Sequence, residues 1–266
     1  RQRAALGVQG AVDLRRPRAQ LADVVLLDAA AQALARALRL HAADPGHGLR
    51  LLLAGPPGTG KTLAAEALAH ELQRDLLVVD AGRVWSKWLG ETERNLETAF
   101  EAAEASGALL FIDEADALFA RRTEIKDAHD RYANAGTAFL LQRLERFTGV
   151  LVLASNARGS LDPAFTRRFD AVIPFDEPDE AARALLWARH LDAARSAPLA
   201  PPEACALLAR WYPLTGAQIR AAARAAPAEA GPGGLDAVLN AIAREFHKLG
   251  RAFPGRPQPE LPSCPR

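Results

Sequence analysis

A glycine-rich run ending in lysine is the segment of this sequence whose spacing most clearly allows chemistry. Its members are Gly55, Pro56, Pro57, Gly58, Thr59, Gly60, Lys61, Thr62 and Leu63. In the pattern GxxxxGK[ST], glycines turn backbone N–H groups toward a phosphate chain, and the following helix adds partial positive charge. The lysine reaches the β and γ phosphates, and the hydroxyl after it binds Mg²⁺. The run therefore predicts a loop that binds the phosphates of a nucleotide; a Gly/Pro turn before a helix is the alternative.

An acidic pair follows an apolar run and could complete such a site. Asp113 and Glu114 come directly after residues 108–112, and Asp116 follows shortly afterwards. Open α/β sheets bind ligands at the carboxyl ends of their strands. We therefore expect Asp113 to hold Mg²⁺ through water and Glu114 to polarise the attacking water. A strand that merely ends in solvated acids is the alternative, and Asp116 is interpreted as an N-terminal helix residue.

Short apolar runs alternate with amphipathic stretches from Leu49 to Phe175 and predict the elements that position these residues. Parallel strands joined by helices give this pattern, and runs rich in Leu, Val and Ile indicate strands covered on both faces. After Pro178 the composition becomes Ala-rich with helical spacing. The fold class is thus predicted as α/β, a P-loop NTPase with a five-stranded parallel sheet flanked by helices, followed by a small all-helical lid domain. The predicted strands are 50–54, 76–80, 108–113, 150–155 and 171–175.

Composition shifts predict how the chain divides. Methionine is absent, even at position 1, so we expect sequence upstream of residue 1 to be missing. The last segment is rich in proline and poor in apolar residues, as in unstructured tails. The expected parts are an N-terminal extension (1–20), a large α/β ATPase domain (21–177), a helical lid domain (178–250) and a flexible Pro-rich tail (251–266).

Composition also narrows the class of protein. The 266 residues are 49% hydrophobic and 24% charged, the balance of a globular protein. The sequence lacks both an apolar run of about 20 residues and a secretory signal, which predicts a cytoplasmic protein without a membrane partner. Net charge is +1 with acids interspersed, so nucleic acid is an unlikely partner. Cys205 and Cys264 lack metal-ligand spacing and are expected to be free thiols.

The sequences GPPGTGKT and FIDEAD resemble Walker A and Walker B of AAA+ ATPases, particularly the AAA clade of protein-remodelling motors. In that resemblance Asn156 corresponds to sensor 1, which positions the lytic water; a turn residue is the alternative. Arg167 and Arg168 are similar to the arginines that reach a neighbouring subunit's nucleotide. The usual spacer between them is absent here, so which of the two is the finger stays open, and one of them is structural in the alternative interpretation.

The segment from Trp85 to Thr92 resembles the first pore loop of protein translocases. Lys87, Trp88 and Leu89 occupy its central positions, and an aromatic side chain there can grip an extended polypeptide. A core tryptophan is the alternative. The polar segment 121–134 is either a second pore loop or a solvated connection.

In the helical part, Leu214 to Ile219 resembles the start of the AAA lid helix, with Thr215 as N-cap. The resemblance implies that Gly216 and Ala217 lie close to the nucleotide. Arg220 is either a sensor 2 arginine or a surface charge.

Together these features predict an ATPase that uses ATP and Mg²⁺ in a homo-oligomeric ring, a hexamer by resemblance, and that threads, unfolds or disassembles a protein substrate, with or without an adaptor. The alternatives are a motor or loader acting on nucleic acid and a nucleotide-dependent scaffold. A GTPase is disfavoured because no Asn-Lys-x-Asp motif is present. The run 123–134 and the contracted arginine pair also resemble a bacterial AAA subgroup that includes ATPases accompanying contractile injection systems.

Overall fold

The computed structural model describes residues 12–81, 91–116, 138–156, 163–193, 202–228 and 234–256. The chain divides into two compact units, Arg1–Asp176 and Glu177–Arg266. The sequence predicts the corresponding domain boundary after residue 177, one residue further along the chain.

A six-stranded sheet forms the centre of the first unit, with strand order β1-β3-β4-β5-β2-β6. The five strands from β2 to β6 pair in parallel, and each lies within one residue of its predicted bounds. The predicted fold class is therefore confirmed. The strands are β1 Val12–Arg15, β2 Leu49–Ala54, β3 Leu76–Asp80, β4 Leu109–Asp113, β5 Val150–Ser155 and β6 Ala171–Pro174.

Strand β1 is a feature that the sequence prediction missed. It pairs antiparallel with β3, from Val12 opposite Val79 to Arg15 opposite Leu76. It falls within the segment 1–20 that was expected to be an extension of the domain, and the structure instead makes its described part the sixth strand of the sheet. The four residues alternate apolar and polar, the period of a half-buried edge strand, but so short a run is a weak pattern.

Helices cover both faces of the sheet because successive residues of each strand point to opposite sides. In β2, Leu52 packs with residues of α3 and α4, whereas Leu51 and Leu53 pack with residues of α1 and α2 on the other face. All six residues of β5 are buried. The helices of this unit are α1 Asp28–Ala43, α2 Lys61–Glu71, α3 Glu91–Ser106, α4 138–146 and α5 Pro163–Thr166.

Among its described residues, the second unit has four α-helices around a separate apolar core. Trp187, Tyr212, Ile219 and Ile242 are each fully buried in it. The all-helical character predicted after Pro178 is thus observed. The helices are α6 Glu180–Ala193, α7 Pro202–Trp211, α8 Gly216–Ala225 and α9 Leu235–Lys248. None of the helices in the described part of the chain is long and apolar enough to cross a bilayer.

The chain after α9 packs on this helical core. The ring of Phe253 stacks on Tyr212 with centroids 5.6 Å apart and an interplanar angle of 7°. The Tyr212 hydroxyl donates a hydrogen bond of 2.6 Å to the carbonyl oxygen of Gly255. Residues 251–256 therefore belong to the folded unit, which corrects the expectation of a flexible tail starting at 251. Their proline and glycine content resembled a tail because the aromatic contact that holds them is not local.

We expect Phe253→Ala to lower the free energy of unfolding of the helical unit by about 2 kcal/mol, since a half-buried ring loses its stacking on Tyr212. The measurement is hydrogen exchange of the amides of α9 in increasing urea. Leu185→Ala is the matched control, because Leu185 is 61% exposed on the same unit and its truncation should change the free energy by less than about 0.5 kcal/mol. Equal effects of the two substitutions would contradict the packing of residues 251–256.

Candidate functional site

The glycine-rich loop joins β2 to α2 where three stretches of backbone meet. Gly55 donates its N–H to Ser155 O at 3.0 Å, and Phe175 donates its N–H to Ala54 O at 2.8 Å. A Cβ atom added to Gly55 would lie 1.8 Å from Phe175 O. Glycine is therefore required at this position by the close approach of the chain that leaves β6.

Two further glycines shape the loop so that it opens into a helix. Gly58 and Gly60 have φ angles of +79° and +101°, in a region of backbone conformation that residues with a Cβ rarely adopt. Gly60 is the N-cap of α2 and supplies no side-chain acceptor for the free N–H groups of the first turn. An anion is the natural partner for such N–H groups, since the helix dipole adds to their positive potential.

The ammonium of Lys61 lies beneath this loop. Its Nζ donates to Gly55 O at 2.6 Å, to Pro56 O at 2.8 Å and to Asn156 Oδ1 at 2.9 Å. Only 7% of the residue is exposed, and burial lowers its pKa, against the opposing attraction of Asp113 and Asp116. A buried cation of this kind is stabilised by an incoming anion.

Thr62 and Asp113 meet at the edge of the site. The Thr62 hydroxyl donates to Asp113 Oδ2 at 3.1 Å, while Asp113 Oδ1 accepts the Glu114 N–H at 2.9 Å. A hydroxyl and a carboxylate are hard oxygen ligands of the type that Mg²⁺ prefers when phosphates complete its shell. Their donor set and distance therefore fit the predicted cation.

Glu114 occupies a strained position directly after β4. Its φ angle is +53°, and its side chain is exposed. A left-handed conformation in a residue other than glycine costs about 1 kcal/mol or more, and such strain concentrates at functional sites. The turn ends the ladder between β4 and β5 and leaves the carboxylate facing solvent beside Asp113.

Asp116 is a site residue that sequence reasoning missed. Its carboxylate accepts the Ser155 hydroxyl and the Asn156 N–H, the latter at 2.9 Å to Oδ2 and 3.0 Å to Oδ1. Asp116 is helical, as the sequence predicts, and its carboxylate in addition holds the end of β5. The signal was present in the sequence, because Asp116 and Asn156 each follow a predicted buried strand.

Strand order explains why these side chains meet. β5 lies between β4 and β2, so Asn156 at its end lies between the acidic segment and the glycine-rich loop. Lys61, Asn156 and Asp116 thus form one hydrogen-bonded group at the carboxyl edge of the sheet, and the bonded pair of Thr62 and Asp113 lies beside it.

The two adjacent arginines differ in their surroundings. Arg168 donates from Nε to Glu145 Oε1 at 2.7 Å and is 32% exposed. Arg167 is exposed. Within the described part of the chain it makes no hydrogen bond or ion pair through its side chain. Asp170, which follows, accepts the Arg50 backbone N–H at 2.7 Å and contacts its guanidinium. The segment is therefore anchored through Arg168 and Asp170, which follow Arg167, while Arg167 itself faces solvent.

The remaining predicted residues lie elsewhere. Lys87, Trp88 and Leu89 fall outside the described residues. Gly216 and Ala217 form the first turn of α8 in the second unit, after Thr215 as N-cap. Their predicted contact with nucleotide, like that of the exposed Arg220, stays a prediction.

A family model described as "ATPase family associated with various cellular activities (AAA)" matches residues 51–177. An "Uncharacterized AAA family ATPase y4kL" of Sinorhizobium fredii is 40% identical over 139 residues, covering 51% of this chain and 42% of the relative. A "Cell division cycle protein 48 homolog" of Archaeoglobus fulgidus is 38% identical over 137 residues, covering 50% of this chain and 19% of the relative. The chain thus spans less than half the length of either relative.

The matched range begins in β2 and contains the glycine-rich loop, the acidic segment, Asn156 and both arginines. The geometry of these residues and the family match agree, and the chain carries an AAA+ ATPase domain.

Proposed function

We propose that this chain binds ATP with Mg²⁺, hydrolyses it within a ring of identical subunits, and uses the cycle to remodel a protein substrate. The observation that carries the proposal is the convergence of Lys61, Thr62, Asp113 and Asn156 at one sheet edge. A phosphate-binding loop alone would suit many nucleotide-binding proteins. The acids beside it add the groups that hydrolysis needs.

Phosphate binding follows from the free donors of the loop. The N–H groups at the start of α2 face the phosphate chain, and the Lys61 ammonium exchanges the carbonyl oxygens of Gly55 and Pro56 for phosphate oxygens. The added negative charge stabilises a cation whose pKa burial has lowered. Thr62 and Asp113 would hold Mg²⁺, which supplies neutralisation of charge on the β and γ phosphates.

Hydrolysis requires a base and a group that orients water. The exposed carboxylate of Glu114 accepts a proton from the attacking water as it adds to the γ phosphorus. The Asn156 amide, whose oxygen accepts from Lys61 at 2.9 Å, is assigned to hydrogen-bond the attacking water and the γ phosphate. The leaving ADP carries away the electron pair of the broken P–O bond.

Glu114→Gln is expected to bind ATP with nearly unchanged affinity and to hydrolyse it at least about 10²-fold more slowly, since the amide cannot accept the proton. Phosphate release gives the rate, and equilibrium titration with a fluorescent ATP analogue gives the affinity. Glu71→Gln changes an exposed acid at the end of α2 that lies away from the loop; it serves as the control and should retain the rate. Unimpaired hydrolysis by Glu114→Gln would refute the assigned base.

The arginine pair points to a shared site between subunits. An arginine that acts on a neighbour must be exposed and held on an ordered segment, and Arg167 meets both conditions. Arg168 is instead paired with Glu145. We therefore assign the trans-acting role to Arg167 and the ordering of the segment to Arg168. This assignment implies ring assembly, because each nucleotide site then requires Arg167 from the next subunit.

Arg167→Ala should slow hydrolysis by about 10³-fold, the typical effect of losing a trans-acting arginine. When Arg167→Ala is mixed with Glu114→Gln, activity should return. Sites on Arg167→Ala subunits retain Glu114, and a neighbouring Glu114→Gln subunit supplies the missing Arg167. Phosphate release from mixed and separate samples is the measurement, with Arg39→Ala as an exposed-arginine control. If mixing restores nothing although the variants assemble together, the arginine does not act in trans.

The protein client is supported by the resemblance of residues 85–92 to a translocase pore loop. We expect a permanently unfolded protein to stimulate hydrolysis, because Trp88 would pack on its side chains regardless of sequence. Trp88→Ala should lose the stimulation, and Trp88→Phe, which keeps an aromatic ring, should retain it. Stimulation by DNA or RNA instead, falling steeply with salt, would favour a nucleic-acid motor.

A further inference from the structure

We propose that Asp116 is a positioning residue that sets the location of Asn156 for hydrolysis. The inference rests on the proposed function, in which Asn156 orients the attacking water. It adds a residue that does not itself touch nucleotide and acts through the backbone at the end of β5.

The end of β5 lacks its strand neighbour on one side. The ladder between β4 and β5 runs from Leu110 opposite Leu151 to Ile112 opposite Leu153. The left-handed turn at Glu114 then carries the chain away from β5. Residues 154–156 must therefore be held on this side by other groups.

Two groups that follow this turn, the Ala115 N–H and the Asp116 carboxylate, replace the missing ladder hydrogen bonds. The Ala115 N–H donates to Ala154 O at 2.9 Å. The Asp116 carboxylate then accepts the Asn156 N–H at 2.9 Å and the hydroxyl of Ser155, a residue that is 0% exposed. The backbone of Asn156 is thereby fixed from the β4 side while β2 fixes Ser155 from the other.

This arrangement holds the backbone and the side chain of Asn156 by different groups. The Asp116 carboxylate accepts the backbone N–H of Asn156, and the Asn156 amide oxygen accepts a hydrogen bond from Lys61 Nζ at 2.9 Å. Loss of the carboxylate would release the backbone and let the amide move relative to the phosphates. A displacement of about 1 Å of a group near the reacting atoms can lower a rate about 10²-fold.

Asp116 also carries a charge that attracts Lys61, so position and charge must be separated by experiment. Asp116→Asn removes the charge but keeps one oxygen that can accept the Ser155 hydroxyl and the Asn156 N–H. Asp116→Ala removes both. If position matters, the asparagine variant should hydrolyse ATP at least about threefold faster than the alanine variant; equal rates would overturn the positioning role.

The decisive experiment is a double-mutant cycle of Asp116→Ala and Asn156→Ala, with kcat from phosphate release and ATP affinity from equilibrium titration. Each single variant should lose at least about tenfold in kcat with affinity within about threefold of the unchanged chain. The double variant should be no slower than Asn156→Ala alone, because Asp116 acts through Asn156. Ser155→Ala, which keeps the Asn156 N–H bond, should lose less than Asp116→Ala.

Two failures remain distinguishable. If the losses multiply in the double variant, or if Asp116→Ala loses affinity rather than kcat, Asp116 does not position Asn156 and the inference is overturned. If Asn156→Ala alone hydrolyses ATP at the unchanged rate, the role assigned to Asn156 in the proposed function is overturned as well.

Discussion

The candidate site depends on the place of β5 between β4 and β2. All three strands end at one edge of the sheet, so hydrogen bonds between backbones set the spacing of side chains far apart in sequence. Lys61 and Asn156 are 95 residues apart, and Thr62 and Asp113 are 51 residues apart, yet each pair is in hydrogen-bond contact. The strands are buried on both faces, and buried strands of this kind resist local opening.

On that framework, the site combines the buried ammonium of Lys61 with several carboxylates, and Lys61 cannot pair with all of them. Lys61 is surrounded by acceptors, Asp113 bonds Thr62, and Glu114 is left facing solvent. Such an arrangement favours a polyanion bound together with a metal cation. The polyanion then pairs with the lysine, and the cation pairs with the carboxylates. In the proposed function the arrangement also separates binding, which is assigned to the loop, from proton transfer, which is assigned to Glu114.

The sequence predicted this part of the protein well because its signals are local. Continuous apolar runs define buried strands, and the glycine spacing before Lys61 defines the loop. What it missed depends on contacts between distant segments. Asp116 was predicted correctly as a helix residue, but its contact with the end of β5 depends on the order of β4 and β5 in the sheet. Strand β1 is too short to show more than a weak pattern, and the stacking of Phe253 on Tyr212 joins residues separated by two helices.

Stability and turnover favour different residues at position 114. The left-handed backbone there would be relaxed by glycine or asparagine, each of which tolerates φ near +53° better than glutamate does. Either change would remove the carboxylate assigned to water activation. A descendant of this chain that no longer hydrolysed nucleotide would therefore be free to drift toward these residues and become more stable in doing so. In the proposed function, glutamate is retained at this strained turn for hydrolysis, at a cost in stability.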